Sequence, residues 1–146
     1  MNDIAHNLNQ IQQQITALDK NICVKLLTVS KTFPESAIID AYNAGMRSFG
    51  ENYPQELASK TENLSELDIE WHFIGNIQSN KTKLIAKHAD WVHTIAQVQH
   101  AKRLNEQRPV DYAPLQVLIE VNISGEANKH GVKDFDELYP LVDLRP

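Results

Sequence analysis

Lys31 is the residue whose type and position best suit it for chemistry. It directly follows the apolar segment 24–30 and precedes Thr32-Phe33-Pro34, so we expect a primary amine where a buried strand opens into a loop. Loops at the carboxyl ends of strands carry the chemistry of α/β proteins. Apolar walls around the amine would disfavour its charged form and leave a neutral nucleophile for a carbonyl group, forming an imine. From position alone, a solvated surface lysine is the commoner outcome.

Apolar strand patterns alternate with helical periodicity along the rest of the chain. Within residues 1–20, apolar residues recur at helical spacing opposite Asn and Gln, which predicts an amphipathic helix. The predicted strands are Val24–Ser30, Met46–Gly50, Ile69–Gly75, Trp91–Ile95 and Leu115–Asn122. The predicted helices that follow them are Ser36–Ala44, Asn52–Leu64, Ser79–His88, Ala96–Glu106 and Phe135–Val142.

This repeat predicts an α/β fold with a parallel sheet, either doubly wound or part of a closed barrel. No Gly-rich fingerprint follows the first strand, and polar residues recur at the strand ends, which favours the barrel. A complete barrel has eight strands in about 250 residues. We therefore expect residues 1–146 to form a single barrel domain that is truncated at its carboxyl end, with about five of the eight strands.

Composition and charge argue against several classes of protein. The formal net charge is −5 and no basic stripe is visible, which argues against nucleic acid as a partner. No segment approaches the roughly 20 consecutive apolar residues that cross a bilayer, and the polar N-terminal segment is unlike a signal peptide. The single cysteine, Cys23, has no zinc-ligand spacing around it. We expect a soluble, cytoplasmic protein without a metal site.

Four motifs carry a resemblance to a known family. They are Val29–Pro34 (VSKTFP), Phe49–Glu56 (FGENYPQE), Trp71–Lys81 (WHFIGNIQSNK) and Val121–Glu126 (VNISGE). Their order and spacing resemble those of the pyridoxal phosphate homeostasis family, also called the YggS or PROSC family. The similarity covers essentially the whole chain, and four motifs in register are far more specific than any one of them.

The resemblance implies a fold like the N-terminal barrel domain of alanine racemase. It also implies that pyridoxal 5'-phosphate (PLP) is held as an imine on the lysine that matches Lys31. Such proteins are regarded as carriers or regulators in vitamin B6 homeostasis, usually monomeric, with PLP-dependent apoenzymes as recipients and no established turnover. Two alternatives stay open: a racemase-type enzyme, which would need a tyrosine base from a second domain, and a remnant that has lost its function.

Two further residues are candidates for the cofactor site. The resemblance supports a cofactor-facing position for Asn52, whose amide would lie against the pyridine ring or its 3-oxygen. The alternative for Asn52 is an ordinary helix N-cap. His72 alternates with Trp71 and Phe73, so it would point into the barrel if those two pack against helices. The alternative for His72 is a buried histidine that satisfies neighbouring polar groups.

Other polar and aromatic residues have weaker claims. For the run Gln78–Lys81 we favour loop bracing combined with capping by Ser79 over direct cofactor contact. Lys129 matches a lysine that recurs in the family, and the resemblance implies a second amine that receives or relays the aldehyde; without the resemblance it would be a solvated surface residue. The remaining aromatic candidates, which we expect in the core, are Tyr53, Trp71 and Trp91.

The chain also departs from the family pattern. Phe33 stands where many members carry a second lysine. The family grips the phosphate with later loops near an Arg-Ile-Gly segment, which has no counterpart in these 146 residues. Backbone N–H groups that capture a phosphate supply much of the binding. We therefore expect this chain on its own to bind the cofactor poorly or not at all.

Overall fold

A computed structural model describes residues 3–18 and 23–144, which form five strands and six helices. The strands are β1 (Thr28–Val29), β2 (Ser48–Glu51), β3 (Glu70–Phe73), β4 (Trp91–Ile95) and β5 (Gln116–Ile119). The helices are α1 (Ile4–Leu18), α2 (Glu35–Asn43), α3 (Pro54–Asn63), α4 (Thr82–His88), α5 (Val98–Gln107) and α6 (Phe135–Val142). In this part of the chain, no helix combines the length and hydrophobicity that crossing a membrane requires.

The predicted order of elements is confirmed, and β4 and α6 have the predicted bounds. The first predicted strand is far too long, because β1 lies at an edge of the sheet and pairs only through Thr28 and Val29. Helices α3 and α4 begin later than predicted. Helix α3 starts at Pro54, whose missing N–H costs nothing in a first turn. Residues 1, 2, 19 and 20 of the segment predicted for the first helix lie outside the described residues.

All strand pairs are parallel, and the strand order in the sheet is β1-β2-β3-β4-β5. A doubly wound sheet reverses its strand order at a switch point, whereas a barrel adds each strand beside the one before it. Consecutive helices also pack on one another, from α3 to α4, α5 and then α6. The fold is therefore part of a TIM barrel, as predicted.

The two faces of the sheet have different environments. Side chains that point towards the helices form the buried core, which includes Phe49, Trp71, Phe73 and Val92. Side chains at alternate positions point the other way, as the two-residue period of a strand requires. A cavity of about 200 Å³ lies on this interior face of the sheet. Its lining residues are Lys25, Leu27, Ser48, His72, Trp91, His93 and Leu118.

The backbones that follow β2 and β3 approach each other closely at the carboxyl edge of the sheet. A Cβ atom added to Gly75 would lie 2.0 Å from the carbonyl oxygen of Asn52, so only glycine fits there. The hydroxyl of Thr94, on β4, donates to the carbonyl oxygen of Gly75 at 2.6 Å. These two contacts join the carboxyl ends of the second, third and fourth strands at one edge of the sheet.

We predict that Gly75→Ala lowers the free energy of unfolding by at least about 3 kcal/mol, because the new methyl group would overlap a backbone carbonyl that cannot move aside. Urea denaturation followed by circular dichroism measures the change. Gly125→Ala is the control: its Cβ would meet nothing within 4 Å, and only its φ of +68° is strained, which costs about 1–2 kcal/mol. Equal losses in the two variants would contradict the steric argument.

Candidate functional site

Lys31 lies in a tight turn at the end of β1. The N–H of Ser30 donates to the carbonyl oxygen of Gly50 at 3.0 Å, and the N–H of Phe33 donates to the carbonyl oxygen of Ser30 at 3.1 Å. Lys31 and Thr32 are the two central residues, and Thr32 has a φ of 65°. A positive φ at that position is typical of a type II turn, where glycine is preferred. For a threonine it costs about 1–2 kcal/mol, so surrounding contacts must hold the turn.

Those contacts come from three charged residues, which we call the Lys60 clamp: Lys60, Glu51 and Glu56. The ammonium of Lys60 donates to the carbonyl oxygen of Ser30 at 2.8 Å, to Glu51 Oε1 at 2.8 Å and to Glu56 Oε1 at 2.7 Å. The hydroxyl of Ser30 donates to Glu51 Oε1 at 2.6 Å, and the N–H of Thr32 donates to Glu56 Oε1 at 2.7 Å. The residues on both sides of Lys31 are thus tied to β2 and α3.

The Lys60 clamp is buried between the sheet and α3. The exposed fraction of the side chain is 6% for Lys60, 0% for Glu51 and 24% for Glu56. A charge taken out of water at this depth is tolerated only where paired charges and hydrogen bonds surround it. Glu51 occupies this side because it alternates with Gly50 and Asn52, which face the interior of the barrel.

The side chain of Lys31 itself is exposed. Among the described residues, nothing accepts a hydrogen bond from its amine. The expectation that apolar walls remove water from this amine is therefore wrong for this part of the chain. The structure fixes the backbone on both sides of Lys31 and leaves its amine open to solvent and to ligands.

Asn52 follows β2 at the same edge of the sheet. Helix α3 begins at Pro54 with Tyr53 as its N-cap, and no side chain caps it. The N-cap alternative for Asn52 is therefore wrong. The side-chain oxygen Oδ1 of Asn52 is buried and has no hydrogen-bond partner among the described residues. A buried acceptor without a partner costs free energy, so this atom is available for a donor on a ligand.

His72 points into the interior of the barrel, as its alternation with Trp71 and Phe73 predicts. Its Nε2 lies 2.9 Å from Glu70 Oε1 and its Nδ1 lies 2.8 Å from the Nε2 of His93. Its ring stacks on Trp91, with centroids 5.7 Å apart and planes 8° apart. His72 stands two residues before the level of Asn52 in the sheet register, about 7 Å deeper along the strand. Its contact with a cofactor stays a prediction.

Burial and neighbouring groups shift the pKa values of Glu70, His72 and His93, the polar cluster on the interior face. Burial acts to raise the pKa of Glu70, but hydrogen bonds from Lys25, His72 and Ser48 outweigh it and hold that pKa at about 2. Burial lowers the pKa of His72 below its ordinary value, although Glu70 beside it acts in the opposite direction. Burial and the neighbouring His72 both lower the pKa of His93. Near neutral pH the cluster therefore pairs a carboxylate with neutral imidazoles.

The polar run Gln78–Lys81 braces a loop. Helix α4 begins at Thr82 without a side-chain cap, so the predicted capping by Ser79 is wrong. The hydroxyl of Ser79 instead lies 3.1 Å from the Nε2 of His100, and its carbonyl oxygen accepts from the hydroxyl of Thr82 at 3.1 Å. The predicted bracing is confirmed. Lys129 is exposed and pairs with Glu126 at 2.8 Å.

The aromatic predictions have mixed outcomes. Trp71 lies in the core, as expected, and Trp91 lines the interior cavity against His72. Tyr53 is 55% exposed, so its assignment to the core is wrong. The reason is local: Tyr53 is the N-cap of α3 and has extended backbone angles (φ −114°, ψ 123°), so it does not share the helical spacing that buries Leu57 and Lys60.

Sequence reasoning missed the Lys60 clamp. The spacing of Glu56 and Lys60, four residues apart on a predicted helix, was a visible signal for a side-chain pair. Such pairs are usually solvated, and nothing in the local pattern indicates that this one lies under the Lys31 turn. Its partner Ser30 is 30 residues earlier in the chain.

Comparisons with known proteins identify the family. A family model described as the alanine racemase N-terminal domain matches residues 1–144. The pyridoxal phosphate homeostasis protein of Escherichia coli (strain K12) is 50% identical over 156 residues, covering 100% of this chain and 67% of that protein. The chain belongs to the pyridoxal phosphate homeostasis protein family. The protein of the same name from Vibrio alginolyticus is 51% identical over 154 residues, covering 99% of this chain and 65% of that protein.

Solved structures agree with this membership. PipY of Synechococcus elongatus PCC7942 with PLP bound has a TM-score of 0.74 and 32% identity, covering 89% of this chain and 58% of that chain. An unknown protein from Bifidobacterium adolescentis has a TM-score of 0.80 and 28% identity, covering 90% of this chain and 59% of that chain. The chain thus spans about two thirds of the length of its curated relatives and less of these solved chains. The family that the four motifs predict is confirmed.

We predict that the free energy of unfolding falls as the pH is lowered from about 7.5 to about 5.5. Burial lowers the folded-state pKa of His72, His88, His93 and His100 from 6.5. Below the unfolded-state pKa, the unfolded chain therefore takes up protons that the folded chain resists, and stability is lost. Urea denaturation at a series of pH values measures this slope. His93→Asn should make it shallower; a flat profile for the parent chain would contradict the prediction.

Proposed function

We propose that this chain holds PLP as an imine on Lys31 and acts in PLP homeostasis. Three observations on this chain, together with its similarity to known proteins, support the proposal. Lys31 lies in the VSKTFP motif of the family, its amine is exposed at the carboxyl edge of the sheet, and the residues beside it are fixed by the Lys60 clamp. The relatives at about 50% identity are pyridoxal phosphate homeostasis proteins, and PipY is described with PLP bound.

The residues present fit this cofactor. PLP supplies an aldehyde, which condenses with a primary amine to an imine and releases water. In the proposal, the amine is that of Lys31. Asn52, on the neighbouring strand end, would place its amide against the pyridine ring or its 3-oxygen. Its buried Oδ1 has no hydrogen-bond partner among the described residues and would accept from a donor on the ligand, which supports a ligand there.

In the proposal, His72 belongs to the floor of the site. It lies on the same interior face as Gly50 and Ile74, at a deeper level than Asn52. Both of its ring nitrogens lie within hydrogen-bond distance of protein atoms. Its proposed contribution is therefore a fixed, neutral aromatic surface under the cofactor, and no proton transfer is assigned to it.

The proposed role is that of a carrier or regulator, with PLP-dependent apoenzymes as the recipients. Residues 1–146 act in it as one barrel-type domain, because the βα units follow one another without a break in the described sheet. Titrations that extend to millimolar PLP cover both tight and weak binding.

We predict that Lys31→Ala abolishes the saturable imine absorbance on titration with PLP, because it removes the amine that forms the bond. The measurement is the visible absorbance, followed by borohydride reduction and mass spectrometry to locate the modified lysine. Lys102→Ala, which removes an exposed lysine from α5, is the matched control and should bind like the parent chain. Phosphate-free pyridoxal should bind more weakly. Equal modification of the parent and Lys31→Ala would disprove the proposed site.

We predict that Asn52→Ala lowers the affinity for PLP about five- to tenfold, because one ligand hydrogen bond is lost while Lys31 is retained. The same titration gives the affinity. Asn105→Ala on α5 removes an exposed amide and serves as the control. An unchanged affinity in Asn52→Ala would remove Asn52 from the cofactor site and leave the assignment of Lys31 untouched.

A further inference from the structure

We propose that Lys60 is a positioning residue for Lys31: its buried ammonium holds the Lys31 turn in the one conformation that presents the amine to a carbonyl ligand. This inference rests on the proposed function and adds a residue that the function does not itself require. Lys60 acts through the backbone and does not touch the ligand in this proposal.

The contacts of the Lys60 clamp end on the turn. The ammonium of Lys60 reaches the carbonyl oxygen of Ser30 directly, at 2.8 Å. It reaches the hydroxyl of Ser30 through Glu51, and the N–H of Thr32 through Glu56. One buried positive charge therefore fixes groups on both sides of Lys31, and the Lys31 side chain is left free.

The conformation of Thr32 explains why the turn needs such a restraint. Its φ of 65° lies in a region that β-branched residues strongly avoid. Among the described residues, a single hydrogen bond closes this turn from within, from the N–H of Phe33 to the carbonyl oxygen of Ser30 at 3.1 Å. Without the acceptor on Glu56, the peptide between Lys31 and Thr32 is expected to rotate out of this conformation and to carry the Lys31 side chain with it.

The cost of the Lys60 clamp also favours a positional role over a purely stabilising one. It places one positive and two negative charges at a site where Lys60 is 6% exposed and Glu51 is 0% exposed. Apolar side chains of similar volume usually stabilise such a position equally well or better. What apolar side chains cannot supply is a donor for Ser30 and an acceptor for Thr32.

The Lys60 clamp is separate from the polar cluster of the interior. Ser30, Glu51 and Lys60 lie on the helix-facing side of the sheet, whereas Asn52 and His72 lie on the interior side. A change at Lys60 therefore alters the Lys31 turn without removing any side chain that would face the ligand. This separation makes the inference testable apart from direct ligand contacts.

The test uses the full 146-residue chain and four variants. Lys60→Met removes the ammonium and keeps the apolar length of the side chain, and Lys87→Met is its control, because Lys87 is an exposed lysine paired with Glu62 on the surface. Glu56→Met removes the acceptor for Thr32, and Glu56→Gln retains an oxygen at the same place. Glu56 is partly exposed, so this second pair gives an answer even if Lys60→Met does not fold.

Two quantities are measured after circular dichroism has shown which variants fold. The first is amide hydrogen exchange at Thr32 and Phe33 in cofactor-free protein, which does not depend on any ligand. The second is the fraction of Lys31 trapped by borohydride at a fixed PLP concentration. The visible circular dichroism of the same samples reports the orientation of the bound chromophore.

We expect Lys60→Met and Glu56→Met to exchange these amides about tenfold faster or more, and to trap Lys31 about tenfold less, because each loses a hydrogen bond to a charged group. Lys87→Met should stay close to the parent chain in both measurements, and Glu56→Gln, which keeps a neutral acceptor, should lie between the parent chain and Glu56→Met.

Other results separate the two proposals. If the parent chain shows a Lys31-dependent imine while Lys60→Met and Glu56→Met match it in exchange or in trapping, the positioning role is overturned and the proposed function stands. If the parent chain shows no Lys31-dependent imine, the proposed function fails and the positioning role fails with it. Faster amide hydrogen exchange in Lys60→Met and Glu56→Met would then show that the Lys60 clamp holds the Lys31 turn but has no role in ligand binding.

Discussion

The ammonium of Lys60, buried between the sheet and α3, is the interaction on which the geometry of the site depends. Buried charges need hydrogen-bond partners, and Lys60 finds one acceptor on Ser30 after β1, one on Glu51 of β2 and one on Glu56 of α3. The same three contacts join the first two βα units at the edge where Lys31 projects. In the positioning proposal, this one buried group therefore sets the direction in which the candidate amine projects.

At this edge, the residues that hold the Lys31 turn and the residue that would face a ligand lie on opposite faces of the sheet. Glu51 faces α3 and belongs to the Lys60 clamp, while the next residue, Asn52, faces the interior and has a buried oxygen without a partner. Successive residues of a strand point to opposite faces, so adjacent positions in one motif take different roles. The close approach of Gly75 to Asn52 extends this rigid edge to the third strand. A ligand on the interior face would meet an exposed amine on a fixed backbone.

Below this edge, the barrel interior contains a hydrogen-bonded polar cluster of Glu70, His72 and His93. Glu70 keeps a low pKa because donors surround its carboxylate, and burial keeps His72 and His93 inclined to the neutral form. Protons taken up there on acidification would weaken the fold, so the stability of the protein is tied to the protonation of its barrel interior. Near neutral pH this floor pairs one carboxylate with neutral imidazole rings.

Local periodicity and four sequence motifs were enough to predict the order of elements, the parallel barrel-type sheet, the family and the inward direction of His72. These properties follow from which face of a helix or strand is apolar, and neighbouring residues carry that information. The exposure of Lys31, the unpartnered Oδ1 of Asn52, the exposed ring of Tyr53 and the burial of Lys60 were not predictable in this way. Each depends on segments far apart in the chain that meet only after folding, as Ser30 and Lys60 do across 30 positions. Whether a charged side chain is solvated or buried is decided by those partners, because the free energy of burying a charge is set by the groups that surround it.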